Sequence, residues 1–479
     1  MAGGPRRRPS PTAPDRRRPV PQRRTFLAGG VAAVALAGTN RLTSLAAPGD
    51  TAYAMGYFTE SPGKVADRYA LHLAVSTDGL NWMPLNQGNP VTTPTAGTGG
   101  LRDPFIMRKQ NGGFVVLATD LTGTDFTRQN QYIHAWDSAD LRSFTGYRRL
   151  KMHSMPTHTW APEAFWDASR NQYGILYSAN SGGRDAFYVN YTTDFVNVGA
   201  PQLFFDPGFN VLDATVHVGN GTNYLYYKSF SDGRLHGARS ATLTPRSFDR
   251  GTYTAGVVSG GIEAPIVVKA HDRDEWWLWG DSYSPVNGEL YAWRSGNIAA
   301  DSWSPLTKAQ YTQPLNAKHP TICGITATEY NALVSRWGTP TWNRIKSYNF
   351  PDQLIRHTGN TARIDPYPFD PYQDAMWQLV PGLAASAGIS FRSVNYPDRY
   401  LRHADYALVL AANDGSTTFA ADATFHRVAG LADPAWTSFR SHNFPDRHIR
   451  HSGYVLRIDP ISAGSAAADR QDATFRVGY

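Results

Sequence analysis

Leu101 to Asp120, LRDPFIMRKQNGGFVVLATD, decides how this chain is read. An acid (Asp103) and a proline precede one apolar run (Phe105 to Met107). Asn111-Gly112-Gly113 makes a tight polar turn, and a second apolar run follows (Phe114 to Ala118). Two apolar runs joined by such a turn describe adjacent antiparallel strands. Four variants follow: WAPEAFWDASRNQYGILYSAN from Trp160, LDATVHVGNGTNYLYYKSF from Leu212, IEAPIVVKAHDRDEWWLWGDS from Ile262 and KHPTICGITATEYNALVSR from Lys318. Each opens with one polar residue: Asp103, Glu163, Asp213, Glu263 and His319, spaced 60, 50, 50 and 56 apart. Internal periods near 50 point to propeller blades. The innermost strand of each blade runs beside a common axis, so these five residues are expected to meet at one end of it.

Residues 52 to 90 read as further strands, AYAMGYFTES and DRYALHLAVSTDGLNWMPL, ahead of the first full repeat. The fifth repeat changes character near Trp337, and the N-terminal strands are expected to complete that last blade. Joining the two ends in one blade closes the ring and leaves no long open edge. The reading is a five-bladed β-propeller over 50–337 and a linker over 338–342. From 343 to 479 a shorter repeat takes over: IKSYNFPDQLIRHTGNTARIDPY, FRSVNYPDRYLRHADYALVLAAN and FRSHNFPDRHIRHSGYVLRIDPI, with Asn349, Asn395 and Asn443 as anchors 46 and 48 apart. The copies close on Asp374-Ala375-Met376-Trp377, Asp422-Ala423-Thr424-Phe425 and Asp472-Ala473-Thr474-Phe475. Three such units suit a β-trefoil, whose core no single unit could fill. The fold class is all-β throughout.

The 479 residues carry a formal net charge of +7. Residues 1 to 40 hold eight Arg and one Asp, so the excess lies wholly there and the remainder is neutral. A nucleic-acid partner is therefore excluded. The basic stretch leads through Arg23-Arg24-Thr25-Phe26-Leu27 into LAGGVAAVALAG and small residues at Ala46-Ala47. This resembles a twin-arginine export signal over 1–47. Its apolar run of about a dozen residues is shorter than the roughly 20 a membrane span requires. A secreted monomer with no membrane anchor is expected. The single cysteine, Cys323, permits no intramolecular disulfide, as expected if folding finishes before export. Aromatic residues are abundant, 13 Trp and 25 Tyr among them; most fill β cores, and some suit the faces of sugars.

Cleaving a glycosidic bond takes one carboxylic acid to protonate the leaving oxygen and one carboxylate on the opposite face to activate water or attack. Asp103 is the candidate base, with Asp67 as runner-up. Glu263, after Gly260-Gly261 and among apolar neighbours, is the candidate acid, since desolvation raises a carboxyl pKa. Asp213 lies between apolar residues and would raise the acid's pKa further by like-charge repulsion. Any one of these acids alone is more simply a structural residue; their place in a five-fold pattern reverses that weighting. Glu163 is a rival to either role, ranked as a support for the site. Trp160 suits a sugar platform as well as blade packing. His319 suits a held water or a hydrated metal ion, and a structural Ca2+ there is the one ion considered. No redox or nucleotide cofactor is implied.

On the Arg102-Asp103-Pro104-Phe105-Ile106, Trp160-Ala161-Pro162-Glu163, Leu212-Asp213 and Glu263-Ala264-Pro265 stretches, residues 50 to 337 resemble a glycoside hydrolase family 43 catalytic domain. The resemblance implies an inverting mechanism with Asp103 as general base, Asp213 tuning and orienting the acid, and Glu263 as general acid. Residues 343 to 479 resemble the family 42 arabinose-binding module, a β-trefoil with one pocket per repeat. That resemblance implies sugar-holding pairs at His357 with Asp374, His403 with Asp422, and His451 with Asp472. The first repeat departs in its Met376-Trp377. Together they imply a secreted exo-acting α-1,5-L-arabinofuranosidase acting on arabinan or another arabinose-containing plant polysaccharide. Arabinoxylan arabinofuranosidase, β-xylosidase and a non-catalytic sugar-binding protein stand as alternatives.

Overall fold

The computed structural model describes residues 49–63, 67–180, 182–253, 260–284 and 286–479. The export signal expected over 1–47 lies outside them. Among the described residues no helix is long and apolar enough to cross a membrane.

Among the described residues, five four-stranded antiparallel sheets form the first part of the chain. Blade one runs outward through Arg102–Arg108, Phe114–Thr119, Tyr132–Ser138 and Thr145–Lys151. Blade two begins with Trp160–Asp167 and Gln172–Asn180, blade three with Val211–His217 and Asn223–Ser229, and blade four with Ile262–Lys269 and Trp276–Ser282. Blade five is closed by both ends of the domain. Its inner strand, Ala317–Thr326, pairs with the N-terminal strand Asp50–Thr59, and Arg68–Ser76 and Met83–Pro84 follow outward.

The strands read as near-continuous apolar runs because each blade is covered on both faces. Five apolar clusters fill the five spaces between neighbouring blades. Phe58, Ile106 and Trp136 lie between blades five and one, and Phe105, Leu117 and Ile175 between one and two. Phe165, Phe204 and Tyr227 bridge two and three, Tyr226 and Leu278 three and four, and Tyr57, Trp279 and Ile322 four and five. Burial between blades, at roughly 25 cal/mol per Å² of apolar surface, is the main favourable term holding the ring.

The fifth copy differs from its expected pair of strands. Its second half, Ala327–Trp337, is a helix. Thr326 caps it by accepting from the Glu329 amide while Glu329 reaches back to the Thr326 amide, a capping box. The place of a second strand is already taken by Asp50–Thr59, so the run is free to coil.

Residues 344–478 form one twelve-stranded sheet built from three similar units. Each unit has a hairpin: Gln353–Thr358 with Thr361–Pro366, Arg399–Ala404 with Ala407–Ala412, and Arg447–Ser452 with Val455–Pro460. The second strands of the hairpins pair with one another at Thr361–Val409, Arg363–Val455 and Ala407–Arg457, which closes a threefold arrangement. The shared core repeats five positions three times, among them Trp377, Phe425 and Phe475, and Ala362, Leu408 and Leu456. The first unit, which departs from Thr-Phe, places the larger Trp377 and the smaller Ala362 at these positions of the core. The two domains are tied by Lys346, which donates to the Lys308 and Tyr311 carbonyls (2.7 and 2.9 Å), and by Tyr367, which donates to Asn316 (2.6 Å).

Candidate active site

Each inner strand opens on the same backbone irregularity. One non-glycine residue takes a positive φ, Asp103 (50°), Ala161 (49°), Asp213 (54°), Ala264 (53°) and His319 (47°), and the pairing register slips there. A bulge leaves one residue out of the ladder, which is why proline is tolerated next, at Pro104, Pro162, Pro265 and Pro320. A left-handed conformation costs a non-glycine residue about 1–3 kcal/mol, a strain that concentrates at functional sites.

This corrects the alignment expected from the acids alone. The true equivalents are Asp103, Ala161, Asp213, Ala264 and His319. Glu263 stands one position before its bulge, in register with Arg102, Trp160, Leu212 and Lys318. Glu163 stands two positions after, in register with Thr215 and Thr321, and its carboxyl bonds to Thr215 in the next blade.

Asp103, Asp213, Glu263, His319 and Trp160 all line one cavity of about 290 Å³. Lys228, Asp281 and Lys318 line it as well, and sequence reasoning missed all three. Two of them had a signal: Lys228-Ser229-Phe230 and Asp281-Ser282-Tyr283 are matching phrases at the ends of two second strands. Asp67 does not line the cavity; its carboxylate accepts the Ser61 amide at 2.6 Å.

Asp103 is held from two sides. His319 Nδ1 lies 3.1 Å from Oδ1, and the Thr119 hydroxyl donates to Oδ2 at 2.7 Å. Thr119 in turn accepts the bulge amide of Ala161 (2.8 Å), linking blades one and two. Burial pushes the Asp103 carboxyl up, but the His319 imidazolium, its hydrogen bond, Arg102 and Thr119 together hold it below the usual range. Burial pushes His319 down, yet Asp103 above all, then Asp213 and Asp281, raise it to about 9. It is therefore a cation at neutral pH.

Glu263 sits between two ammonium groups, Lys228 at 2.9 Å and Lys318 at 2.9 Å. Lys318 also bridges to Asp281 (2.6 Å), whose other oxygen accepts the His319 bulge amide (2.5 Å). The expectation that desolvation would leave Glu263 with a raised pKa is not met. Burial does push it up, but Lys318 and Lys228 outweigh burial and hold it well below the carboxylate range. Other buried carboxyls are raised instead; Asp281 is pushed by burial, against Lys318 and with the help of Glu263, up to about 6. Asp213, which accepts the Ala264 amide at 3.0 Å, is pushed by burial, against His319 and with the help of Glu263 and Asp103, up to about 7. Glu163 is pushed by burial, against His319 and the Thr215 hydrogen bond, up to about 8. With Lys228, Lys318 and His319 set against Glu263, Asp281 and Asp103, the charges balance when Asp213 and Glu163 keep their protons.

His319, the position considered for a structural Ca2+ ion, already has a carboxylate partner. Its Nδ1 faces Asp103, and two lysines take up the nearest carboxylates. Among the described residues no group of three His, Cys, Asp or Glu side chains could hold one.

The cavity wall is aromatic. Trp160 stacks on His158 (centroids 3.8 Å apart) and meets Phe126 edge-on (5.9 Å), while Phe230 lines the other side. Arg102, paired with Glu60 at 2.6 Å, lies under Phe126 (5.1 Å).

The C-terminal domain repeats one polar cluster three times. His357, His403 and His451 lie 3.2, 3.4 and 3.4 Å from Asp374, Asp422 and Asp472. An asparagine from another unit completes each cluster. Asn395, Asn443 and Asn349 donate to those aspartates (2.8, 2.8 and 2.7 Å) and lie 3.1, 2.9 and 3.0 Å from the histidines. The sequence showed these asparagines only as turn anchors. Beside each histidine stands an aromatic ring, Tyr396, Phe444 or Phe350, at 5.3–5.5 Å.

Residues 50–331 match the family described as a probable glycosyl hydrolase domain, and residues 339–477 match the alpha-L-arabinofuranosidase B (ABFB) domain. An alpha-L-arabinofuranosidase of Bifidobacterium longum subsp. longum is 25% identical over 372 residues, 66% of this chain and 35% of that protein. Alpha-L-arabinofuranosidase B of Emericella nidulans is 36% identical over 90 residues, 17% of this chain and 18% of that protein. The chain thus spans about a third or less of these curated relatives. Among solved structures, the catalytic domain of a Coprinopsis cinerea GH62 alpha-L-arabinofuranosidase aligns over 48% of this chain and 75% of its own (18% identity, TM-score 0.38). An exo-beta-1,3-galactanase from Clostridium thermocellum aligns over 89% and 93% (13% identity, TM-score 0.37). The match over more than half of its length makes this chain a member of the family-43-related glycosyl hydrolases, with an arabinofuranosidase B domain following the propeller.

Proposed function

We propose that the protein is a secreted, exo-acting α-L-arabinofuranosidase that releases arabinose from α-1,5-linked arabinan and arabino-oligosaccharides with inversion. The carrying observation is the convergence of Asp103, Asp213 and Glu263, from three blades, on one aromatic-walled cavity. Its volume, about 290 Å³, suits a terminal sugar and part of its neighbour. The names of the relatives and of the C-terminal domain supply the sugar.

In this reading Asp103, kept ionised by His319, is the general base that takes a proton from the attacking water. The opposite carboxyls act as a pair. Asp213 and Glu263 interact strongly enough that their exchangeable proton belongs to both. In the free protein it resides on Asp213, the group raised to about 7. Glu263 delivers it to the leaving oxygen, Asp213 replenishing and orienting it, and Lys228 and Lys318 stabilise the anion left behind. The chemistry needs no cofactor.

The C-terminal domain is in this reading a β-trefoil that holds the enzyme on its polymer, its His–Asp–Asn clusters and rings facing arabinose hydroxyls and C–H faces. A monomer working outside the cell, exported by the leader over 1–47, fits such a substrate. Incubation with linear arabinan and, separately, arabinoxylan tests the reading: free arabinose from linear arabinan is expected. Release from arabinoxylan alone moves the assignment to side-chain removal, xylose release to β-xylosidase, and no release from any polymer to a sugar-binding protein.

A further inference from the structure

We propose that Phe230 and Tyr283 form the platform on which the leaving sugar rests during cleavage, an inference that depends on the glycosidase reading above. Each is the first residue after its blade's second strand, Asn223–Ser229 in blade three and Trp276–Ser282 in blade four. They are therefore topological equivalents at the end of the ring where the inner strands begin.

Both rings are exposed, 47% and 38%, in a fold that buries most of its aromatic residues between blades. Phe230 lines the cavity and Tyr283 shares with it the ammonium of Lys228, and exposed apolar rings grouped in this way mark a binding surface. Each is also pre-set. The Lys228 ammonium, which itself lines the cavity, lies 3.9 Å from the Tyr283 ring centre and 4.9 Å from that of Phe230. Such a cation fixes ring orientation in advance, so stacking a sugar costs little ordering entropy.

The side of the ring identifies the sugar. In a five-membered ring blade one faces blades three and four. Asp103, the base, comes from blade one; Asp213 and Glu263 come from blades three and four. The proton donor must face the leaving oxygen, so the leaving sugar lies on the side of Phe230 and Tyr283. Phe126, 50% exposed on the blade-one side with Trp160 beside it, then covers the sugar being cleaved.

The test compares an α-1,5-linked arabinofuranosyl disaccharide with arabinofuranosyl fluoride, whose leaving group has no ring to stack. For Phe230→Ala, Tyr283→Ala and the double variant, the ratio of kcat/KM on disaccharide to that on fluoride is expected to fall, about tenfold or more in the double variant. Phe126→Ala is expected to lower both values together and leave the ratio in place. An unchanged ratio in the double variant, or a Phe126→Ala ratio that falls as far, overturns the assignment. Wild-type protein that cleaves neither compound overturns the glycosidase reading instead.

Discussion

His319 Nδ1 lies 3.1 Å from Asp103 Oδ1, and the two residues occupy the same bulge position in adjacent blades one and five. The contact sets the charge of both groups, and the imidazolium is the largest influence opposing burial on Asp103. In His319→Gln that influence is gone while burial remains, so the Asp103 carboxyl rises. The acid limb of the kcat/KM profile is expected to move to higher pH, with activity at pH 5 falling about tenfold further than at pH 7. An acid limb that stays in place contradicts Asp103 as the base.

Asp213 and Glu163 are raised in the folded protein to about 7 and about 8. Between the ordinary carboxylate range and those values the folded state binds more protons than the unfolded one. Stability therefore falls as pH rises through this window. Glu163→Gln removes the highest of the carboxyl titrations, leaving those of Asp213 and Asp281 in place. Urea midpoints measured from pH 5 to 9 are expected to decline less steeply in the variant, and an equal decline contradicts a protonated Glu163.

Lys318 is 2% exposed at its side chain and carries Glu263 and Asp281. Lys318→Met leaves Glu263 with Lys228 as its ammonium partner and removes the ammonium partner of buried Asp281. Removing one partner of a buried ion pair costs about 3–5 kcal/mol. A loss of that order in urea unfolding is expected, together with a higher Glu263 pKa seen as an upward shift of the pH profile.

The three C-terminal clusters are not equal. Tyr406 faces Phe444 at 5.5 Å and Tyr454 faces Phe350 at 5.5 Å, so two clusters have paired rings beside the histidine. The corresponding hairpin tip of the first unit is Asn360, which leaves Tyr396 alone. Tyr406→Ala and Tyr454→Ala are expected to weaken retention on immobilised arabinan about tenfold each, and Tyr396→Ala less. Equal effects contradict the ranking.

How much of this was legible in the sequence turns on what kind of signal a residue leaves. The blades were readable from alternating apolar runs and turns, and blade closure from the leftover N-terminal strands. The site was readable as a set of acids, because Asp103, Asp213 and Glu263 each open an inner strand. Their register was not, since aligning acid on acid hid the bulge that separates Glu263 and Glu163 from Asp103. The recurring proline after the bulge, at Pro104, Pro162, Pro265 and Pro320, was the better marker. The protonation pattern was beyond local reading: Lys228 and Lys318 approach Glu263 from blades three and five, and only the closed ring brings them together. The helix at Ala327–Trp337 was hidden by an apolar run that also suits a strand, although Thr326 and Glu329 spell a capping box.

Proton NMR of the sugar freshly released from an α-linked arabinofuranosyl oligosaccharide tests the central claim most directly. Inversion requires the base and acid carboxyls to stand on opposite sides of the sugar, roughly 6.5–9.5 Å apart, with water between them. The expected first signal is the β-anomer of arabinofuranose, appearing before mutarotation and absent from an Asp103→Asn variant. An α-anomer appearing first, or equal release by wild type and variant, would contradict the account.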